Sequence, residues 1–323
     1  MTSPVAVGVI GVGRRASSLS EYAAPLSGAV IAAIAPGPRG RDRTAAAGLA
    51  RHLGAAFRRE WESVATDPAV GVVLIEDAGA AAAETALAAG KIVVCPGPPA
   101  RILETLERLS AAAKRGRGAL LAAGEIRYTP AGSRAVAIAA EGGLGVLHSI
   151  YAAVRLPVLE RPDGEGTILE RAGWDVLDTV CAAVPRRPAR VSATVTGLFG
   201  GAADTAVVIA WLGDDTIVTV ELSSCLPASI PTVAQGEVEI EMIGSREALR
   251  IEPYKTAVRF HGQRDSVLLP WIDDPVLSML HEAISAARGE AAKPNHFDHW
   301  RRVIGFMEAI KSSAARGEPV TAS

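Results

Sequence analysis

Hydrophobic positions in the first third of the chain come in short unbroken runs, each followed by a stretch with helical spacing. "VAVGVI" (5–10), "AVIAAIA" (29–35), "GVVLIE" (71–76) and "KIVVC" (91–95) have the length and composition of strands buried on both faces. Between them, "TAAAGLARHLG" (44–54) and "AAAAETALAAG" (80–90) carry helical spacing closed by Gly54 and Gly90. A polar-faced helix pattern behind the first strand runs to about Ala24 and is stopped by Pro25. A helix over 100–115 and the run "GALLAAG" (118–124) complete the series. Such alternation predicts a parallel sheet covered by helices on both faces.

The pattern changes after about residue 125. A helix from Pro130 to Glu141 leads into "VLHSIYAAVRL" (146–156), and then come "ARVSATVTGLF", "DTAVVIAWLG", "DTIVTVELSS" and "GEVEIEMIG". These are longer runs with alternating stretches, and tight turns such as "GDD" (213–215) predict antiparallel pairing. Helical segments over 275–288 and 297–316 end the chain, and the Pro/Arg cluster "PRRPAR" (185–190) reads as the one candidate linker. The expected fold is a Rossmann-type doubly wound parallel sheet plus an α+β C-terminal domain with a large, mostly antiparallel open sheet. The expected domains are 1–124 for dinucleotide binding and 125–323 for substrate and oligomerisation.

Composition narrows the function classes. A chain of 323 residues, 49% of them hydrophobic, can build two cores. Its net charge of −2 supplies no strong field toward nucleic acid or an anionic membrane, so neither is expected as a partner. The first apolar run is too short to span a bilayer, breaks at glycines and follows no basic segment, so a cytoplasmic location is expected. Cys95, Cys181 and Cys225 are far apart, and no CxxC or Cys/His zinc spacing exists, which argues against disulfides and structural metal.

The chemistry-bearing motif is "GVGRRA", Gly11 to Ala16, which follows the first strand and fits G-x-G-x-x-G/A. Gly11 permits the tight turn, Gly13 lets a pyrophosphate approach the backbone, and Ala16 is small enough for helix–strand packing. A helix opening there offers free N–H groups to phosphate, with Arg14 and Arg15 alongside. An NAD-type site places a carboxylate about 20 residues on, at the end of the second strand. Counting from Ala16 arrives at Pro36, and no carboxylate occurs until Asp42, whereas Arg39, Arg41 and Arg43 cluster there. That arrangement favours NADP(H) over NAD(H), because an arginine can fork onto a 2′-phosphate. A solvated basic loop beside a decayed pocket, with no cofactor at all, is the alternative.

The order of parts resembles the Gfo/Idh/MocA oxidoreductases (glucose–fructose oxidoreductase, inositol dehydrogenase and relatives) over nearly the whole chain. The resemblance is carried by "VGVIGVGRRA", "DPAVGVVLIE", "ALAAGKIVVC", "GEIRYTPA", "EGGLGVLHSI" and "AIKSSAARGEPV". It implies a nicotinamide cofactor, a small-molecule substrate and a homo-oligomer formed through the C-terminal sheet. The family's catalytic residues do not carry over. Its E-K-P falls on Pro96, Gly97 and Pro98, and its P-N-x-x-H on Ala78, Gly79 and Ala82. Where the family has a histidine three residues before an aspartate, "ERAGWDVLD" has Asp175 before Asp178, with Arg171 at an earlier aspartate position. General acid–base groups contribute about 10²- to 10⁴-fold, so losing lysine and histidine together rules against ordinary alcohol oxidation.

Other groups expected at the strand ends are Glu76 with Asp77, and Glu125, Arg127 and Tyr128 after the last parallel strand. Tyr128, Asp175 and Glu125 are the candidate acid–base groups. Glu76 and Gly97 join Gly11, Gly13, Arg14, Arg15, Ala16 and Arg39 as candidate cofactor contacts. Arg127 can clamp an anion or anchor the segment, and Asp175 can act as a base or pair with Arg171. In "NHFDHW", Asn295 and Asp298 read as a helix-start pair in preference to a metal site, and Cys95 as a small core residue. Three functions remain: an NADP(H)-linked reductase of an activated C=N or C=C, a catalytically degenerate ligand- or partner-binding homologue, and a redox-neutral enzyme.

Overall fold

The computed structural model describes residues 4–13, 26, 28–76, 79–157, 166–198, 203–213, 216–226, 236–254, 257–261, 267–268 and 274–321. The chain divides into two compact units, Met1–Glu125 with Asp274–Arg301, and Ile126–Asp273 with Arg302–Ser323. The expected helix to Ala24 lies outside the described residues.

The first unit is built on β1 (Val5–Ile10), β2 (Ala29–Ala35), β3 (Ala56–Phe57), β4 (Val72–Ile75), β5 (Ile92–Pro96) and β6 (Ala119–Ala123). All pair in parallel, in the order β3-β2-β1-β4-β5-β6. The unbroken apolar runs are explained by burial on both faces: Val7, Val9, Val72, Val73, Val93, Val94, Leu120 and Leu121 are fully buried. Helices α1 (Arg43–Leu53), α2 (Glu62–Ala65), α3 (Gly79–Ala88) and α4 (Leu103–Gly116) connect the strands. A later helix, α8 (Pro275–Ala287), returns to pack on β5 and β4. The chain departs from β1 toward β2 on one side and resumes at β4 on the other. The ends of β1 and β4 therefore form a topological switch point, where ligands bind in open α/β sheets.

The second unit holds β7 (Leu147–Pro157), β8 (Pro188–Thr196), β9 (Thr205–Leu212), β10 (Thr216–Leu226), β11 (Glu237–Gly244), β12 (Ala248–Ile251), β13 (Ala257–His261), β14 (Val267–Leu268) and β15 (Val320–Thr321). Their order is β14-β13-β12-β11-β7-β10-β9-β8-β15, parallel between β7 and β10 and antiparallel elsewhere. Alternation sorts β9 cleanly: Ala206, Val208, Ala210 and Leu212 are buried while Val207 and Ile209 face outward. The Pro/Arg cluster is no linker, because buried Pro188 already opens β8.

Helices α5 (Glu125–Tyr128), α6 (Pro130–Ala140) and α7 (Trp174–Ala183) lie along this part of the chain, and α9 (Phe297–Arg316) follows near the end. Among the described residues no helix is long and apolar enough to cross a membrane.

Candidate functional site

Three strand ends are stitched together at the switch point. Gly11 takes a left-handed φ of 83°, which bends the chain sharply off β1. Its N–H donates to Ala35 O at 3.0 Å, and the N–H of Glu76 donates to Ile10 O at 3.0 Å. The turn thereby sits against the ends of β2 and β4, and the Glu76 side chain is buried there. Gly13 is half-buried two residues further on. Arg14, Arg15, Ala16 and Asp77 lie outside the described residues.

The loop beyond β2 differs from the expectation. The carboxylate of Asp42 accepts the N–H of Val12 at 2.6 Å and that of Gly37 at 3.1 Å. Val12 stands between the two glycines of the turn, and Gly37 lies just beyond β2. A carboxylate therefore lies against the end of β2, one residue beyond Pro36, where sequence counting finds none. Asp42 stands at the N-cap of α1 but makes no side-chain cap there, so its oxygens are turned to the loops. Arg39 is exposed in the turn between Gly37 and Asp42.

At the end of β5, Gly97 is buried with φ 105°, and its N–H donates to Ala123 O at 2.6 Å. A Cβ added at Gly97 would meet nothing within 4 Å, so backbone conformation alone disfavours a side chain there. Burial pushes the neighbouring Cys95 thiol up to about 12, which makes it a core group and no nucleophile. Lys91, just before β5, is buried with its Nζ on Asp67 O and on Val70 O at 2.8 Å, and burial lowers its pKa.

In the second unit, Arg127 and Asp178 form a pair, Nε to Oδ2 at 2.9 Å, with the Asp178 carboxylate fully buried. The Arg127 guanidinium also lies 5.5 Å from the centre of the Tyr128 ring. Arg127 thus anchors α5 to α7. Glu125 and Tyr128, both half-buried, occupy opposite ends of α5. Asp175 is half-buried in the first turn of α7, and its carbonyl accepts from Thr179 Oγ1 at 2.9 Å. A π-helical turn, Leu169–Gly173, runs straight into α7 and resets the direction of the side chains that follow. Arg171 in that turn donates to Ser224 Oγ on β10 at 3.0 Å.

The "NHFDHW" segment has structural work. His296 Nδ1 lies 2.9 Å from Ala122 O, Trp300 Nε1 donates to the same oxygen at 2.8 Å, and Asp298 pairs with Arg301. Among the described residues no group of three or more His, Cys, Asp or Glu side chains gathers that could hold a metal ion.

No protein-family model matches the chain, and no curated protein matches it by sequence. Its fold is shared by many solved structures. An oxidoreductase domain protein from Kribbella flavida is 17% identical with a TM-score of 0.84, covering 100% of both chains. GenD2 from gentamicin A biosynthesis, solved with NAD, is 20% identical with a TM-score of 0.81, over 100% of this chain and 97% of its own. Levoglucosan dehydrogenase, solved with NADH and levoglucosan, is 20% identical with a TM-score of 0.81, over 99% of this chain and 100% of its own. At these identities the likeness is one of fold.

Proposed function

We propose that this chain is a nicotinamide-dependent oxidoreductase of a small molecule, on the Gfo/Idh/MocA plan with a rebuilt acid–base site. The observation that carries the reading is the switch point itself: a left-handed Gly11 turn bonded to the end of β2 in a sheet ordered β3-β2-β1-β4-β5-β6. The NAD and NADH in the two similar enzymes support it. Gly11, Gly13, Arg14, Arg15 and Ala16 would take the pyrophosphate. Arg39 and Asp42 stand on the adenosine side, and Glu76 and Gly97 at the ends of β4 and β5. When bound, the cofactor supplies hydride transfer.

With Gly97 and Asp175 at the family's lysine and histidine positions, the chain is short of acid–base groups for alcohol oxidation. Reduction of an activated C=N or C=C asks only for one proton, and Asp175, Tyr128 and Glu125 are the groups that would deliver it. The same two replacements favour a second reading, a catalytically degenerate binding subunit. Calorimetric titration with reduced cofactor, then imines and enones followed by nicotinamide absorbance, separates them. The expected result is turnover, reduced about 10²-fold or more in Asp175→Asn with cofactor affinity unchanged. Cofactor binding without turnover on any such substrate would favour the second reading, and no binding at millimolar cofactor would sink the first.

We also propose self-association through the open face of the second sheet. Val207, Ile209, Ile217 and Ile243 are 43%, 38%, 45% and 41% exposed on it. They form one surface, since Ile217 and Ile243 both stand opposite Ser149, and Ile217 opposite Trp211.

A further inference from the structure

The geometry points to Asp42 as the residue that selects NAD(H) over NADP(H), an inference that rests on the nicotinamide reading above. Three observations meet at this side chain. It bridges the first turn and the end of β2 through Val12 N–H at 2.6 Å and Gly37 N–H at 3.1 Å. In dinucleotide folds this junction is where the adenosine ribose is held. It stands at a helix N-cap yet leaves the cap unmade, so its oxygens are committed to the junction and not to its own helix. The strand-end position that ordinarily carries the ribose carboxylate is Pro36, so Asp42 supplies from the start of α1 what β2 does not.

The consequence is electrostatic. A carboxylate offers about four lone-pair sites, and those left by the two backbone donors can accept from a ribose hydroxyl. A 2′-phosphate is an acceptor with nearly two negative charges at neutral pH. It would meet a fixed negative charge at hydrogen-bonding range, with the Val12 and Gly37 donors already taken. Arg39 is exposed in the intervening turn, where solvent screens its charge more than that of the half-buried Asp42.

The test is calorimetry on the full chain with NADH, NADPH, ADP-ribose and 2′-phospho-ADP-ribose, the last two isolating the adenosine end. We expect NADH over NADPH, and ADP-ribose over its 2′-phosphate, by tenfold or more. Asp42→Asn should shrink both ratios at least tenfold, mainly by gained affinity for the phosphorylated ligand. Should Asp42→Asn fail to fold, the wild-type ratios still decide. Equal or tighter binding of the phosphorylated ligands by wild type, or ratios unmoved in a folded Asp42→Asn, would overturn the selector role and leave the nicotinamide reading standing. No binding of any of the four at millimolar concentration would overturn both.

Discussion

Single residues already set two measurable properties. Cys95 and Cys181 are buried, and each thiol is pushed from its ordinary 9.0 up to about 12, by burial first and for Cys181 also by Asp178. Below pH 9 native and unfolded thiols are both protonated, and the contribution is fully present. Between 9 and 12 the unfolded chain has lost protons that the native protein keeps, so stability falls as pH rises, by up to about 1.4 kcal/mol per pH unit per thiol. Urea unfolding at pH 8 and pH 10 should show this loss, and Cys95→Ala/Cys181→Ala should flatten the slope. A thiol reagent at neutral pH should modify half-buried Cys225 first. The Arg127–Asp178 pair is the second case. Arg127→Met takes away a cation from a carboxylate with no solvent exposure and should cost about 3 kcal/mol in urea unfolding, with Arg127→Met/Asp178→Leu recovering most of it. The sequence named these residues but not their pairing. Glycines at 11 and 97 were legible because a missing side chain has a local meaning. Asp42 was not, because its role depends on where two loops cross, 30 residues apart at Val12.

Elements were legible where period and caps agree. Among the described residues, the strands and helices expected in the first half appear within a few residues of the hydrophobic pattern, because burial on both faces leaves little alternative to an unbroken apolar run, whereas the short, exposed β3 and the single-turn α2 were not anticipated. Thr129 and Asp274 behave as their positions before Pro130 and Pro275 suggest. Thr129 accepts the Gly132 N–H at 3.0 Å, and Asp274 accepts those of Val276 and Leu277 at 2.8 and 3.3 Å. Asp274→Ala should therefore cost about 1 kcal/mol of unfolding free energy, whereas Asp42→Ala takes no cap bond from α1. A larger loss of stability in Asp42→Ala than in Asp274→Ala would mean that the loop junction depends on that carboxylate for its fold. The π-helical turn ahead of α7 left no trace in the sequence, since one extra residue in a turn barely disturbs periodicity over a short helix. It matters because it sets the phase of the helix that carries Asp175, the residue on which the proposed proton transfer relies.

At the scale of the whole molecule, information is carried by segments that meet from far apart. The alternation of the first half implied a parallel sheet, yet the return of Asp274–Arg301 to that unit has no local signature. Likewise β7 joins β10 in parallel at the centre of the large sheet, with Ser149 opposite Ile217 and Val154 opposite Leu222, a pairing no hairpin turn announces. The same centre exposes the face proposed for self-association. Its apolar residues are interleaved with charges: Glu239 pairs with Arg250 at 2.6 Å and Glu221 with Arg155 at 3.9 Å, and Tyr151 donates to Glu221 at 3.2 Å. Burial and Glu221 together raise the Tyr151 pKa, so the phenol stays a donor across neutral pH. A second copy covering such a surface would gain roughly 25 cal/mol per Å² of apolar area buried. Ile209→Glu places a new carboxylate opposite Thr219, in the middle of that face. Light scattering at tens of micromolar should find wild type as an oligomer and the variant shifted to monomer, with circular dichroism unchanged. The variant should keep its affinity for NADH, because every backbone donor proposed for the cofactor lies in the first unit. A monomeric wild type would refute the assembly, and loss of NADH binding in a folded monomer would show that the assembly completes the site.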